Sequence, residues 1–132
     1  MILYLQTIGD KMEHLSQKTD EQINSVSNLF SSLSNPVRVK ILWLLKKNKS
    51  LSVHEIQKEL KISQSNVSQH LGLLKGNKLV QEERKGKEVF YSLVASKKIS
   101  KVLASAVHLI AYQLTVKSEL LSTYTELLSF LG

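Results

Sequence analysis

The feature that most constrains the fold of this chain is a helical spacing of apolar residues, which runs along nearly its whole length and is interrupted by one strand-like segment. Apolar residues recur three and four positions apart, a spacing that lines one face of a helix. Between residues 79 and 93, two short runs of β-forming residues flank a basic turn centred on Gly86. The pattern predicts a mainly α fold with a small β-hairpin.

The N-terminal third reads as two helices. Residues 2–17 carry an amphipathic stripe, and Thr19 with Gln22 has the spacing of a capping box, which predicts that a second helix starts there. We therefore treat residues 1–18 as an N-terminal helical extension. Asn35 and Pro36 suit the N-cap and first position of the next helix, which is strongly apolar.

Two further helices follow, joined by a tight turn. Ser52 and Glu55 form a capping box at the start of a short helix, and Ser63 caps a longer one. Gly76 and Asn77 end the longer helix, since both residues tolerate a left-handed C-cap. A helix-turn-helix followed by a basic hairpin predicts a winged helix-turn-helix domain over residues 19–95.

The outward face of the second helix of this pair, residues 64–75, is polar and suited to the major groove of DNA. Amide side chains can pair with adenine, and hydroxyls can contact bases or phosphates. Basic residues at the tip of the hairpin, residues 84–88, can contact the DNA backbone or the minor groove. The candidate DNA-binding residues are Gln64, Ser65, Asn66, Ser68, Gln69, His70, Arg84, Lys85 and Lys87.

The positive charge of the chain is concentrated in its centre. Residues 36–101 hold fifteen Lys or Arg and five acids, whereas residues 1–35 have a net charge of −2. The whole chain has a net charge of +7. A central basic block indicates a polyanionic partner, with nucleic acid ahead of a membrane surface.

A heptad-like stripe follows Ser96 and predicts a long C-terminal dimerisation helix over residues 96–132. Its apolar residues would make it roughly 50 Å long if continuous, although the stripe turns polar near residues 115–117, where a break is an alternative. So long a stripe predicts a homodimer with a two-fold axis, in which the first helices also take part. The predicted dimer-interface residues are Ile99, Leu103, Ala106, Ile110, Leu120, Tyr124 and Leu127.

Three motifs, in order, resemble the ArsR-type transcriptional repressors. Residues 33–42 read LSNPVRVKIL, residues 60–71 read LKISQSNVSQHL, and residues 85–93 read KGKEVFYSL. The resemblance covers about residues 26–112. It implies a homodimeric repressor that binds an inverted-repeat operator in double-stranded DNA and leaves it when an inducer binds. It also implies that Gln64, Ser65, Ser68 and Gln69 face the groove.

The chain departs from that family at its sensor sites. It has no cysteine, and its last helix offers His108 without an accompanying Asp. Asp10, Glu13 and His14 share a helical face, but one imidazole and two carboxylates at this spacing are common by chance. We therefore expect no metal and no cofactor. The sequence also lacks a nucleophile–base set and a phosphate-cradling glycine loop, so we expect no enzyme activity.

Other interpretations remain open at this point. A MarR-like regulator also dimerises through terminal helices, although the short hairpin and the Pro36 helix start favour the ArsR type. A winged helix used for protein–protein contact, or an anti-repressor, is also compatible with the pattern. The N-terminus lacks a basic signal region, and no apolar run approaches the ~20 residues of a membrane span, so we expect a cytoplasmic protein.

Overall fold

A computed structural model describes residues 1–114 and 121–131 of the chain. Within these ranges it is mainly α-helical with one small antiparallel sheet, as the sequence predicts. The elements, in chain order, are α1 (Ile2–Leu33), α2 (Pro36–Asn48), β1 (Ser50–Ser52), α3 (Val53–Leu60), α4 (Gln64–Gly76), β2 (Val80–Lys85), β3 (Glu88–Leu93), α5 (Ser96–Leu114) and α6 (Leu121–Leu131).

The N-terminal region is one helix of 32 residues, about 48 Å long, and not two. The predicted cap at Thr19 is wrong because its hydroxyl donates back to the carbonyl oxygen of Leu15 at 2.9 Å, inside the helix. Helix α1 therefore runs across the predicted boundary between residues 18 and 19. Every residue as far as Asn28 is exposed, and α1 joins the rest of the fold through Leu29, Ser32 and Leu33.

The predicted N-caps Asn35, Ser52 and Ser63 are confirmed. The side-chain oxygen of Asn35 accepts from the backbone N–H groups of Val37 at 2.9 Å and Arg38 at 3.3 Å. Ser52 and Glu55 form the reciprocal capping box at the start of α3. The Ser63 hydroxyl accepts from the Asn66 N–H at 3.2 Å and starts α4. These caps fix where each helix of the domain begins.

The end of α4 differs from the prediction. Gly76 is still helical, and the cap residue Asn77 has φ −89°. The left-handed residue is Lys78, with φ 58°, and its N–H donates to the Lys75 carbonyl oxygen at 2.9 Å. Lys61, in the turn between α3 and α4, is also left-handed, with φ 55°.

The sheet has three strands in the order β1-β3-β2. The hairpin pairs Val80 with Leu93 at one end and Lys85 with Glu88 at the other, so its turn is only Gly86 and Lys87. Gly86 has φ +66°, a conformation that favours glycine. Strand β1 was not predicted, because three residues are too few to show an alternating pattern.

The core is built where α2, α3 and α4 meet against the sheet and the first half of α5. Its members are apolar and almost completely covered. The least exposed side chains are Ile41, Leu42, Leu45, Ile56, Val67, Leu71, Leu74 and Val80. The helical spacing of the sequence predicts the inward face of each of these helices.

The described C-terminal residues form two helices, α5 and α6, which agrees with the alternative of a break in the predicted long helix. Helix α6 packs against α5, and its last residues contact α2. The Phe130 ring meets Trp43 edge-on, with ring centroids 5.5 Å apart, and the Lys46 ammonium donates to the carbonyl oxygen of Leu131. Much of the C-terminal apolar stripe is therefore covered within one chain. No helix among the described residues is both long and apolar enough to cross a membrane.

Two leucines of α4 provide a stability test of this core. Leu71 is 0% exposed and Leu73 is 48% exposed on the same helix. We expect Leu71→Ala to lower the free energy of unfolding by about 2–5 kcal/mol, because it leaves a cavity in the core. Leu73→Ala should change it by less than about 1 kcal/mol. Urea unfolding at one fixed protein concentration measures both, and equal losses would contradict the assigned inward face of α4.

Candidate nucleic-acid interface

Helix α4 separates a packing face from a polar face. Val67, Leu71 and Leu74 are 0% exposed and pack into the core. Five of the six predicted reading residues of this helix are exposed, namely Gln64, Ser65, Asn66, Ser68 and Gln69. The Ser65 hydroxyl lies 3.2 Å from that of the cap residue Ser63. The other four side chains present amides and a hydroxyl to solvent along the first two turns of the helix.

The sixth predicted reading residue, His70, is half-buried at the edge of this face. Its Nδ1 lies 3.5 Å from a guanidinium nitrogen of Arg38 in α2. Partial burial, and then the positive charge of Arg38, lower the pKa of His70 below its usual value. The imidazole is therefore held in its neutral form near pH 7.

The hairpin carries a second polar surface. The predicted wing residues Arg84, Lys85 and Lys87 are all exposed, with the first two at the end of β2 and the third in the turn. The Lys85 ammonium lies 5.5 Å from the centre of the Phe90 ring, a cation–π distance. Three cations around a two-residue turn give the hairpin tip a strong positive potential.

A polar contact connects α4 to the hairpin. The Lys75 ammonium donates to one carboxylate oxygen of Glu82 at 2.5 Å, and the Tyr91 hydroxyl donates to the other at 3.0 Å. These two hydrogen bonds lower the pKa of Glu82. Burial, and then the bond to Glu82, raise the pKa of Tyr91. The contact links the end of α4 to β2 at the protein surface.

Arg38 was not singled out from the sequence. Its guanidinium bridges the end of α1, the start of α2 and the edge of α4. The sequence does contain an indication of its role. A cation in the first turn of a helix is disfavoured by the helix dipole, so an arginine at this position is expected to have a partner elsewhere. The partners are distant in the chain, which hides them from any local pattern.

The predicted dimer-interface residues divide into two groups. Ile99 and Leu103 lie in the core of their own chain, at 8% and 5% exposure, so that surface is already covered. Ala106 and Ile110 are exposed on α5, and Leu127, which belongs to α6, is half-buried. Leu120 and the side chain of Tyr124 lie outside the described part of the chain.

A large apolar surface surrounds the exposed residues of α5. Phe30, Trp43, Ala106, Ile110 and Leu127 belong to the lining of a groove of about 670 Å³ between α1, α2, α5 and α6. Helix α1 extends this surface with a row of exposed apolar side chains. The row includes Ile2, Leu5, Ile8, Met12, Leu15, Ile23 and Val26. An apolar area of this extent marks an interaction surface.

Residues that could bind a metal are not brought together in the part of the chain that the structure describes. No group of three or more His, Asp or Glu side chains lies close enough there to hold one ion. The acidic residues and His14 of α1 do not form such a group.

Comparison with known proteins identifies relatives of this domain. Residues 35–82 match the family described as "Bacterial regulatory protein, arsR family". The transcriptional repressor PagR of Bacillus anthracis is 36% identical over 86 residues, covering 65% of this chain and 80% of PagR. The biofilm growth-associated repressor of Xylella fastidiosa (strain 9a5c) is 33% identical over 89 residues, covering 67% of this chain and 77% of the repressor.

Solved structures agree with this result. Reduced HlyU from Vibrio cholerae N16961 superposes with a TM-score of 0.59 at 32% identity, covering 68% of this chain and 96% of HlyU. The crystal structure of PagR superposes with a TM-score of 0.55 at 34% identity, covering 63% of this chain and 97% of PagR. The winged helix-turn-helix fold predicted from the sequence is confirmed.

The contact between Lys75, Glu82 and Tyr91 predicts a pH-dependent contribution to stability. Because the pKa of Glu82 is lowered by folding, its contribution is present above the unfolded pKa of the carboxyl group and is lost as the pH falls through the folded value. Glu82→Gln should therefore lower the free energy of unfolding slightly at pH 7, and this loss should shrink toward about pH 3.

Urea unfolding across that pH range measures the effect. Glu83→Gln on the same strand is the matched control, because neighbouring residues of a strand point to opposite faces and Glu83 therefore points away from Lys75 and Tyr91. A loss that is equal at both pH values, or equal in the two variants, would contradict a role for ionised Glu82.

Proposed function

Because the chain belongs to the ArsR family of bacterial regulatory proteins, we propose that it is a homodimeric repressor that reads an inverted-repeat operator with α4 and holds the DNA backbone with its wing. Family membership makes the chain a DNA-binding transcriptional regulator. It also disfavours the MarR-type alternative. The observation that supports the reading role best is the division of α4 into a fully buried apolar face and an exposed polar face.

Helix α4 would enter the major groove through its N-terminal turns. Gln64, Asn66 and Gln69 carry amides, which can pair with the N6 and N7 atoms of adenine, and Ser68 can donate to or accept from a base edge. Their helix cannot rotate to hide them, since Val67, Leu71 and Leu74 are locked in the core. The reading residues are thus offered from a rigid element, which favours sequence-specific recognition.

The wing would supply affinity without reading sequence. Arg84, Lys85 and Lys87 can contact phosphates or enter the minor groove, where positive charge is favoured. The bond between Lys75 and Glu82 links the wing to α4. Both contacts can therefore be made on one stretch of DNA.

PagR and the biofilm growth-associated protein are repressors, and we extend that role to this chain. None of them is described as an enzyme, so we infer that the chain acts by binding DNA and not by catalysis. As the DNA of a bacterium lies in its cytoplasm, we place the protein there. A winged helix used only for protein–protein contact is less compatible with the central basic block.

We infer that the dimer forms through α1 and the exposed face of α5. Ala106 and Ile110 lie beside the apolar groove, and α1 carries a row of exposed apolar side chains that its own chain does not cover. Residues 1–35 have a net charge of −2, whereas α5 begins with Lys97, Lys98 and Lys101, so α1 of one copy complements α5 of the other. A two-fold axis through this contact would set the two α4 helices roughly 34–36 Å apart, one turn of DNA.

Selection of DNA from a random pool tests the proposed function. We expect the wild-type protein to enrich inverted repeats. Gln69→Ala or Ser68→Ala should weaken binding to the selected DNA by about 1–3 kcal/mol and relax its sequence preference. Lys85→Ala or Lys87→Ala should weaken binding to selected and random DNA by similar factors.

The salt dependence of binding provides the accompanying measurement. Each neutralised phosphate contributes a slope of about −0.9 in log K against log salt, and we expect roughly six contacts per dimer. The wing variants should reduce this slope, and the α4 variants should leave it unchanged. A nearly flat salt response would show that the proposed DNA binding is wrong, and a loss of sequence preference confined to the wing variants would reverse the assigned roles.

Aspartate substitutions test the dimer. Ile8→Asp on α1 and Ile110→Asp on α5 each place a charge in the inferred interface, and both residues are exposed within one chain, at 42% and 50%. Because an unpaired buried charge is costly, we expect dimerisation to weaken by at least about tenfold. Sedimentation equilibrium at micromolar concentration measures this change.

Gln6→Asp is the matched control for Ile8→Asp, since Gln6 is exposed on the same helix and lies away from the apolar row. This variant should remain a dimer. A monomeric wild-type protein, or aspartate variants that dimerise as tightly as the control, would refute the inferred interface.

A further inference from the structure

The side chain of Arg38 is held between two helices other than its own. Its Nε donates to the carbonyl oxygen of Ser32 at 2.6 Å, and its Nη2 donates to that of Ser31 at 3.1 Å. Its Nη1 lies 3.5 Å from Nδ1 of His70. One half-buried guanidinium therefore touches the C-terminal end of α1 and the edge of α4.

The charges at this junction explain why an arginine is placed there. The last carbonyl groups of a helix lack partners within the helix and carry partial negative charge. Helix α1 has no basic residue in its own last turn, so Arg38 supplies the cation from the next helix. Within α2 the same cation sits in the first turn, where the dipole disfavours it. The position of Arg38 is therefore explained by its contacts with α1 and α4, and not by any stabilisation of α2.

The contact with His70 fixes which ring nitrogen carries the proton. A guanidinium has hydrogens to donate and no acceptor, so a hydrogen bond at this contact requires Nδ1 of His70 to be the acceptor. The lowered pKa of His70 keeps the ring neutral, and a neutral ring that accepts at Nδ1 carries its hydrogen on Nε2. His70 is then a hydrogen-bond donor through Nε2, on the turn that also carries Gln69.

We propose that Arg38 is a positioning residue for DNA reading, which orients His70 with its proton on Nε2 and ties the reading helix α4 to the end of α1. The donor would suit the acceptors that the major groove displays, which are O6 and N7 of guanine, N7 of adenine and O4 of thymine. This inference rests on the proposed function, in which α4 lies in the major groove.

A direct bond from Arg38 to a DNA phosphate is the competing role. Two of its three nitrogens already donate to backbone carbonyl oxygens, and the third faces His70. A cleft of about 170 Å³ between α1 and α4 is lined by Arg38 together with Asn28, Leu73 and Asn77, so the guanidinium lies between helices. These contacts favour positioning over phosphate binding.

Nitrogen NMR of the histidine rings in the full-length protein without DNA tests the first half of the proposal. We expect the wild-type His70 ring to be neutral with its proton on Nε2 near pH 7. Arg38→Met, which removes the donor, should convert His70 to a mixture of the two neutral forms. His54, which is exposed on α3, is the internal control and should not change. A His70 signal that is the same in both proteins would overturn the proposal.

The role of Arg38 in DNA reading is tested with two DNA duplexes. One is selected by the wild-type protein from a random pool, and the other has the same base composition in shuffled order. We expect Arg38→Met and His70→Ala each to lower the ratio of the two affinities about fivefold or more. The double variant should lose no more than the larger single loss, because both changes remove one contact. His70→Gln should retain most of the ratio, since an amide can accept from Arg38 and still donate.

The possible outcomes distinguish a failure of this inference from a failure of the proposed function. If Arg38→Met weakens binding to both duplexes equally, Arg38 is a phosphate contact and the proposal is wrong. Losses that multiply in the double variant would also overturn it. If the wild-type protein does not distinguish the two duplexes, the proposed function fails, and the NMR result still decides the contact between Arg38 and His70.

Circular dichroism identifies any variant that fails to fold. Should Arg38→Met be such a variant, Arg38→Lys takes its place, because lysine keeps the charge and loses the forked geometry. We expect this variant to remain folded with a partly mixed His70 signal and an intermediate affinity ratio. A wild-type signal and ratio in Arg38→Lys would contradict the need for the guanidinium.

Discussion

The burial of one face of α4 is the constraint on which the rest of the domain depends. Val67, Leu71 and Leu74 have no exposed surface, and each would cost about 1.5–3 kcal/mol to return to water. With these three side chains fixed, the helix cannot roll about its axis. The direction of every polar residue on the opposite face follows from this, so the core of the protein also determines which side chains α4 presents to solvent.

Features that depend on neighbouring residues could be predicted from the sequence. Asn35, Ser52 and Ser63 cap their helices as expected, because an N-cap is decided by the residue itself and the three that follow it. The inward faces of α2 to α5 were also predictable, since the helical period fixes which residues share a side. The exposed face of α4, which contains most of the candidate site, follows directly from that period.

Features that depend on distant contacts could not be predicted. Strand β1 exists because Leu51 lies opposite Tyr91, forty residues away in the chain. Helix α6 lies against α2, where Phe130 and Leu131 contact Trp43 and Lys46. The apolar spacing alone left open whether the C-terminal helix is continuous or broken. Thr19 illustrates a local ambiguity, since its hydroxyl can cap a new helix or bond back within an existing one.

In a dimer that binds DNA through α4, two quantities matter: the distance between the two α4 helices and the tilt of each one. They have different physical origins in this fold. Spacing would depend on α1 and α5, whose exposed apolar surface lies at the edge of the domain. Tilt depends on the core beneath α4, and the exposed ion pair of Lys75 and Glu82 adds one contact between α4 and β2.

Because Arg38 contacts the end of α1 and the edge of α4 at once, the two properties meet at one side chain. A change in the packing of α1 would move the carbonyl groups that hold this guanidinium, and with them the partner of His70. In the proposed dimer, spacing and tilt would therefore be connected through the hydrogen bonds of Arg38 as well as through the packing of the domain.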